Sequence, residues 1–595
     1  MPNLSAGSAI AFFSMEFGLE ADLPTYAGGL GILAGDILRT AADVGLSLVG
    51  VSLVHRQGYF RQQLDADGNQ TETPDPWLPE SRLESIPTQT SIALRGRTVH
   101  VRAWRYHVVG VTGREVVVYL LDTNVPENDP ADRALTDQLY VGDAEHRLCQ
   151  EAVLGLGGLT ILRALGHRPE STLYHMNEGH SALLTLALLE EAAATSLPPG
   201  TEAARDAVRK RCIFTTHTPV PAGHDQFEKE LVYRVLGESR AAILEAGKCC
   251  LDEKLNMTYL ALHHSRYVNG VALRHEQISR DMFPGYPIDS ISNGVHTFTW
   301  AADPIRELFD RHIPEWRRDS FYLRYASSIA LNEILAAHSQ CKQLLAKEVE
   351  KLTGTRIDQQ ALTIGFARRA TAYKRTDLLF NDLDRLRQIV RNSGPLQIVF
   401  AGKAHPRDEA GKNLIRQVYA AAKKLHGEIQ VVYLEGYDMA LARTLCAGVD
   451  LWLNTPQKPQ EASGTSGMKA AVNGVPSLSI LDGWWLEGCI EGITGWAIGE
   501  DGGQPSDPVR EAVSLYDKLE YVIAPLYYKR RLQFAEVMRS AIALNGSFFS
   551  SQRMLFQYLR NAYFPGGDPG AADPFIPALQ PYLNGKNDNE KSKPK

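Results

Sequence analysis

Residues 362–375 read LTIGFARRATAYKR, a short run of apolar and small residues that leads straight into two arginines. A run this short and this apolar, without alternation, predicts a strand buried on both faces of a parallel sheet. Similar runs recur at LSLVGVSLV (46–54), VVVYLLD (116–122), CIFTTHT (212–218), LQIVFAGKA (396–404), IQVVYLEGY (429–437) and VPSLSILDG (475–483), with helical stretches between them. Strands that alternate with helices predict an α/β fold of doubly wound sheets. Between about 300 and 360 the pattern changes to charged helices before strands resume at Ala361, so a domain boundary is expected near residue 310. In such sheets ligands collect beyond the carboxyl ends of strands. The polar clusters lie there: NEGH (177–180) after STLYHM, THT (216–218) after CIFT, RRATAYKR (368–375) after LTIGFA, and AGKAHP (401–406) after LQIVF.

The chain has 595 residues, which suggests two to four domains at roughly 100–200 residues each. With 44% hydrophobic and 22% charged residues, and no apolar run near the ~18 residues of a membrane span, it reads as soluble. The start, MPNLSAGSAIAFFSMEF, lacks the basic opening and unbroken apolar core of a secretory signal, so export is not expected. Seven cysteines are scattered with no C-x-x-C pair, which fits reduced thiols in a cytoplasm. The adjacent Cys249 and Cys250 read as two thiols near a helix end, with a redox device as the alternative. A net charge of −7 gives no general reason to bind nucleic acid or an anionic membrane. Any anion site must therefore be local. The tail NGKNDNEKSKPK reads as disorder.

Arg368, Arg369, Lys374 and Arg375 cluster at a predicted helix start, where cations oppose the helix dipole by ~0.3–1 kcal/mol each when exposed. A phosphate would resolve that conflict, Arg offering a fork and Lys a point charge; a solvated basic turn is the alternative. YAGGLGILAGD (26–36) is glycine-rich before a helix, and its amides could cradle an oxyanion. Gly29, Gly31 and Gly35 give G-x-G-x-x-x-G rather than the dinucleotide fingerprint, so a tight turn with close helix packing stands beside that reading. His217 and His224 are separated by prolines and have no completing acid or thiol pattern, so no metal site is expected. Finally, EASGTSGMKAAVNG (461–474) sets one long cation, Lys469, after a string of small residues and hydroxyls. The bland reading is a solvent-facing lysine. A lysine beside a phosphate cradle is also what a pyridoxal phosphate Schiff base requires.

With EASGTSGMK, RRATAYKR, YAGGLGILAGD and NEGH in one chain, the sequence resembles the α-glucan phosphorylases of glycogen, starch and maltodextrin, from FFSMEF near residue 12 to about residue 500. That resemblance implies a GT-B arrangement of two Rossmann-like domains facing across a cleft. Residues 1–310 and 311–562 would form the halves, the last helices crossing back, with 563–595 a tail. It also implies pyridoxal 5′-phosphate in the cleft and a cytoplasmic homodimer. Lys469 would carry the cofactor, with Arg368, Thr465, Gly464 and Tyr437 around it. Arg369, Lys374 and the amide of Gly29, in the turn Gly28–Gly29–Leu30, would hold inorganic phosphate. His217, with Glu178 behind it, would contact the sugar at the cleaved bond. Glu461, Ser463 and Gly464 would bind sugar hydroxyls, and Tyr373 would line the site. The implied reaction transfers a terminal glucosyl unit of an α-glucan or maltodextrin to phosphate, giving α-glucose 1-phosphate with retention. The cofactor phosphate serves as acid and base in it, so no carboxylate nucleophile is needed.

Three positions depart from long-form members: Gly467 stands where they have asparagine, Gly18 where they have tyrosine, and Arg368 where many have lysine. The chain also looks abbreviated over residues 128–147 and before residue 12, which leads to the expectation of an enzyme without phosphorylation or nucleotide control. Two rival readings remain: a nucleotide-sugar-dependent glucan synthase of GT-B fold, which has no use for Lys469, and an inactive glucan-binding paralogue. Against the latter, His217, Arg369, Lys374, Glu461 and Lys469 are all present.

Overall fold

A computed structural model describes residues 9–194, 197–247, 250–251, 253–500 and 506–565. The tail NGKNDNEKSKPK, the first eight residues and Cys249 lie outside the described residues, as does the side chain of Cys250. Two large sheets organise the chain. The first has nine strands: β1 (Ala9–Ser14), β2 (Leu48–Leu53), β3 (Glu84–Leu94), β4 (Arg97–Val109), β5 (Glu115–Asp122), β6 (Thr172–Asn177), β7 (Cys212–Thr215), β8 (Tyr267–Gly270) and β9 (Asp289–Ser290). They lie in the order β9-β8-β7-β6-β1-β2-β5-β4-β3. From β9 through β5 every pairing is parallel. The strand order reverses at β1, whose neighbours are β2 and β6.

The second sheet holds β10 (Leu362–Ala367), β11 (Leu396–Ala401), β12 (Gln430–Leu434), β13 (Leu451–Asn454), β14 (Ser477–Ile480) and β15 (Gly495–Ile498). It is parallel throughout, in the order β12-β11-β10-β13-β14-β15. This is the doubly wound dinucleotide-fold order, with its switch point between β10 and β13. All six residues of β10 are buried, as its unbroken apolar run requires. All seven quoted runs contain strands, although CIFTTHT leaves its strand at Thr215 and LQIVFAGKA at Ala401.

The expectation of wholly parallel sheets is corrected at one edge. β4 runs antiparallel to both β5 and β3. In β3 exposed and less exposed residues alternate, as on a sheet with one face in water, and such a strand carries no continuous apolar run to read.

The helix α1 (Gly29–Val44) opens at Gly28 and stops at Gly45, which takes a left-handed φ of +69° and donates back to Ala41 and Ala42. The 23-residue α2 (Leu331–Thr353) precedes the second sheet. Beneath that sheet, Asp450 is fully buried with Lys342 Nζ 2.5 Å and His338 Nε2 3.0 Å from its carboxylate oxygens. The chain then returns to the first half. Gly294 packs so closely on the backbone of Ser550 that a Cβ would lie 2.2 Å from its carbonyl oxygen. Met554, Leu555, Tyr558 and Tyr563 join the apolar cluster of β1 and α1, and His175 in β6 bonds the Tyr563 hydroxyl at 2.7 Å. No helix among the described residues is long and apolar enough to cross a membrane.

Candidate active site

The carboxyl ends of both sheets face one cleft. From the second sheet, β10 ends at Ala367 and delivers Arg368 and Arg369. Lys374 follows on a short 3-10 turn and is buried. Its ammonium and Arg368 Nη2 both donate to one oxygen of Glu461, which comes from the loop after β13. Burial alone would raise the Glu461 carboxyl, but the charges of Lys374 and Arg368 reverse that and hold it below the usual range. Asp482 pins the same loop by accepting from the amides of Glu461 at 2.9 Å and Gly483 at 3.0 Å. Burial, with Glu461 nearby, pushes its carboxyl up to about 6. Gly483 is needed there: its φ is +54°, and a Cβ would sit 2.5 Å from the Ser463 carbonyl. Gly464 turns the loop at φ +82° beneath Glu461.

Lys469 lies on α3 (Ser466–Val472), whose N-cap residue Thr465 makes no side-chain capping bond. The lysine is buried with Nζ 3.9 Å from the centre of the Trp300 ring. Trp300 is held by its own Nε1, which donates to buried Asp36 of α1 at 2.8 Å. Burial pulls the Lys469 ammonium below its usual pKa, partly opposed by Asp36. Among the described residues Nζ makes no hydrogen bond or ion pair. The departure at Gly467 has a physical reason, since a Cβ there would be 2.7 Å from the Trp484 ring. Gly467→Asn is therefore expected to lower stability by ~1–3 kcal/mol through overpacking, read as a fall in the thermal midpoint. Gly18 is similar: a Cβ would meet Ile32 at 2.8 Å, which leaves no room for a tyrosine.

The first sheet supplies the other lip. Glu16, just beyond β1, accepts from the amides of Ala27 at 2.6 Å and Gly28 at 3.2 Å, and from Tyr140 Oη at 3.0 Å. Gly31 and Gly35 serve packing, because a Cβ would fall 2.6 Å from Glu16 Oε2 and 2.1 Å from Gly18 O respectively. Above Gly28 and Gly29 a Cβ would meet nothing within 4 Å, so the start of α1, with Leu30 next, opens on the cleft. The glycine-rich stretch is thus both a packing device and an open helix start. Glu178, at a φ of +76°, accepts from the amides of Gly179 at 3.0 Å and His217 at 2.7 Å and from Thr218 Oγ1 at 2.9 Å. Its carboxylate therefore fastens the His217 loop. Burial lowers the His217 pKa to about 4, so the ring is neutral near pH 7. With Nε2 2.7 Å from Asn177 Oδ1, Nε2 carries the proton and Nδ1 remains an acceptor. His224 instead bonds Thr258 through Nδ1.

The cleft brings these lips together. Arg369 is open to solvent on one side and crowded by protein on the others, and its charge acts on Glu16, Tyr59 and Tyr140 of the opposite lip. Tyr373 lies beside it, its ring centre 4.4 Å from Lys374 Nζ, and the half-buried Tyr437 feels the charge of Arg368. Several donors in the cleft lack acceptors. Arg368 Nε and Nη1 and Ser463 Oγ are buried without partners, and Arg369 forms no ion pair among the described residues. The buried groups of Arg368 and Ser463 cost free energy unless an anion or polar ligand completes them.

A family model described as carbohydrate phosphorylase matches residues 16–142 and 226–494, more than half of the chain. The chain belongs to the carbohydrate phosphorylases. The maltodextrin phosphorylase of Thermococcus litoralis is 39% identical over 598 residues, covering 93% of this chain and 70% of that one. The glycogen phosphorylase of Mycobacterium tuberculosis is 37% identical over 629 residues, with 94% and 71% covered. That of Aquifex aeolicus is 35% identical over 602 residues, with 93% and 86% covered. The matched segments of this phosphorylase take in the glycine-rich stretch, both arginines and Lys469, whereas Glu178 and His217 fall between them. Four groups that shape the site, Glu16, Asp36, Trp300 and Asp482, were not legible as site residues. Glu16 and Asp482 carried a usable signal, each as an acidic residue two positions beyond the end of a strand.

Proposed function

We propose that the protein is an α-1,4-glucan phosphorylase using pyridoxal 5′-phosphate, which moves the terminal glucosyl unit of a maltodextrin or other α-glucan onto inorganic phosphate and gives α-glucose 1-phosphate with retention. The observation that carries this reading is the buried residue Lys469, whose Nζ lies over the Trp300 ring with no hydrogen bond or ion pair among the described residues and shares a cleft with the unsatisfied donors of Arg368. These residues fit the cofactor: Lys469 would hold it covalently, Arg368 and Thr465 would receive its phosphate, and Gly464 and Tyr437 would flank it. When bound, the cofactor supplies a phosphate that exchanges a proton with the substrate phosphate.

The rest falls to the chain. Arg369 and Lys374 bind inorganic phosphate from one lip and the Gly29 amide from the other, with the Gly28–Leu30 turn facing the substrate. Concentrated cations allow two anions to approach. Lys374 already shares Glu461 with Arg368, so the carboxylate keeps these cations in place before phosphate arrives. Glu461, Ser463 and Gly464 orient sugar hydroxyls, Tyr373 closes that side, and neutral His217 offers Nδ1 as an acceptor near the cleaved bond. In this reading residues 1–310 and 311–562 are the two halves of the cleft, and the enzyme is a cytoplasmic homodimer. A nucleotide-sugar synthase gives no role to an unpartnered buried lysine.

The test is an absorbance spectrum of the purified protein together with glucose 1-phosphate release from maltodextrin and phosphate. A cofactor band with phosphate-dependent product is the expected result. A colourless protein that makes product only from a nucleotide sugar would overturn the proposal.

A further inference from the structure

A hairpin of residues Arg61–Leu64 and Gln70–Thr73 leaves the first half and lies on the second. Gln62 and Gln70 are 5% and 6% exposed, and uncharged amides are rarely so buried without a specific partner. Their partners are backbone groups of the opposite half. Gln62 Nε2 donates to Gly402 O at 2.9 Å, and its Oε1 accepts from Gly436 N at 3.0 Å. Gln70 Nε2 donates to Ala404 O at 2.9 Å, and its Oε1 accepts from Ala404 N at 3.0 Å. The two amides also bond each other, Gln62 Nε2 to Gln70 Oε1 at 2.9 Å.

The segment they grip carries the arginines. Ala370 N donates to Lys403 O at 2.9 Å, Ala370 and Ala404 pair as an isolated parallel bridge, and Arg368 N donates to Ala401 O at 3.2 Å. Gly402 lies so close beneath Arg368 that a Cβ would be 2.0 Å from its carbonyl oxygen. An unbroken series of backbone contacts thus runs from the two glutamines to residues 368–370. A phosphate held by Arg369 on one lip and by the start of α1 on the other requires a fixed spacing between the lips.

We infer that Gln62 and Gln70 are positioning residues for the phosphate subsite, an amide clamp that sets the arginine loop at its distance from the glycine-rich turn. This rests on the phosphorylase reading of the site. The variants are Gln62→Leu, Gln70→Leu, the double variant, and Gln62→Asn, which keeps an amide on a shorter arm and guards against a failure to fold. The expected result for the double variant is a KM for phosphate raised on the order of 10-fold or more, since small misplacements of binding groups are costly. The KM for maltodextrin should change far less, and Gln62→Asn should fall between. Thermal midpoints with added phosphate, against chloride at equal ionic strength, give a second readout that needs no turnover: phosphate should stabilise wild type more than the double variant. Lower midpoints with unchanged KM values and unchanged phosphate stabilisation would overturn the inference and leave the hairpin a simple fastening. If wild type shows no phosphorolysis, the functional reading fails, and the clamp is judged by the phosphate effect alone, where equal stabilisation of wild type and variant overturns it.

Discussion

Lys469→Ala is expected to lose the cofactor absorbance band and to lower phosphorolysis by on the order of 10³-fold or more, as removal of a group that acts as part of a catalytic unit does. The reason is local. Nζ sits 3.9 Å over the Trp300 ring, and no other lysine lies on α3. Lys469→Met, which keeps the packing volume, separates chemistry from folding. A buried ammonium without a hydrogen bond or ion pair opposes folding, so cofactor-free Lys469→Met should unfold at the same temperature as cofactor-free wild type or above it. The pH dependence has a definite sign. Burial lowers the native pKa of this amine below its unfolded value near ~10.4, so below that value the unfolded chain binds more protons. Stability from this group then rises as pH climbs towards about 10, and the methionine variant should lack that rise. A band retained by Lys469→Ala would place the cofactor elsewhere.

The second large effect lies far from the cleft. Asp450→Asn is expected to cost ~3–5 kcal/mol, because it leaves the buried Lys342 ammonium without its carboxylate. Lys342 would be left with neutral acceptors alone, Ala361 O at 2.6 Å, the Tyr527 hydroxyl at 3.1 Å and the new amide oxygen. Burial pulls the Lys342 ammonium down even with Asp450 opposing it. The Asp450 carboxyl is desolvated too, yet Lys342 and His338 hold it far below its usual value, and the pair stays ionised. A carboxyl depressed in this way contributes its stability above the unfolded value near ~3.9, and that contribution is lost as pH falls below it. Wild type should therefore weaken on acidification more steeply than the variant. Midpoints measured from about pH 2 to pH 7 decide it, the two curves diverging below about pH 4; parallel curves through that acid range would show that the pair contributes little.

The strands buried on both faces were legible because their apolar runs are continuous: LTIGFA and LQIVFA could be little else. β3 and β4 were not, because a sheet edge with one wet face dilutes the apolar signal into alternation. Within the site, Arg368, Lys374, Glu461 and Lys469 stood out as charges among small residues at strand ends. Trp300 and Asp36 gave no such signal, since what matters is that an indole from residue 300 meets a carboxylate from residue 36 beneath a lysine at 469. That is a property of packing between chain-distant segments. The glycines were half legible: the turn was evident, but the carboxylate of Glu16 that fills the space beside Gly31 was not.

The return of the chain from Ser550 to the first half has a consequence for how the protein is made. The strands of the first sheet are complete by residue 290, whereas Tyr558 and Tyr563, which cover it, come only after the whole of the second sheet. At roughly 5–20 residues per second, a ribosome finishes that cover on the order of tens of seconds later. During that interval the polar groups of His175 and Asn269 and the apolar face around Phe12 wait for partners that have not yet been synthesised. Maturation of the first half is thereby tied to synthesis of the second.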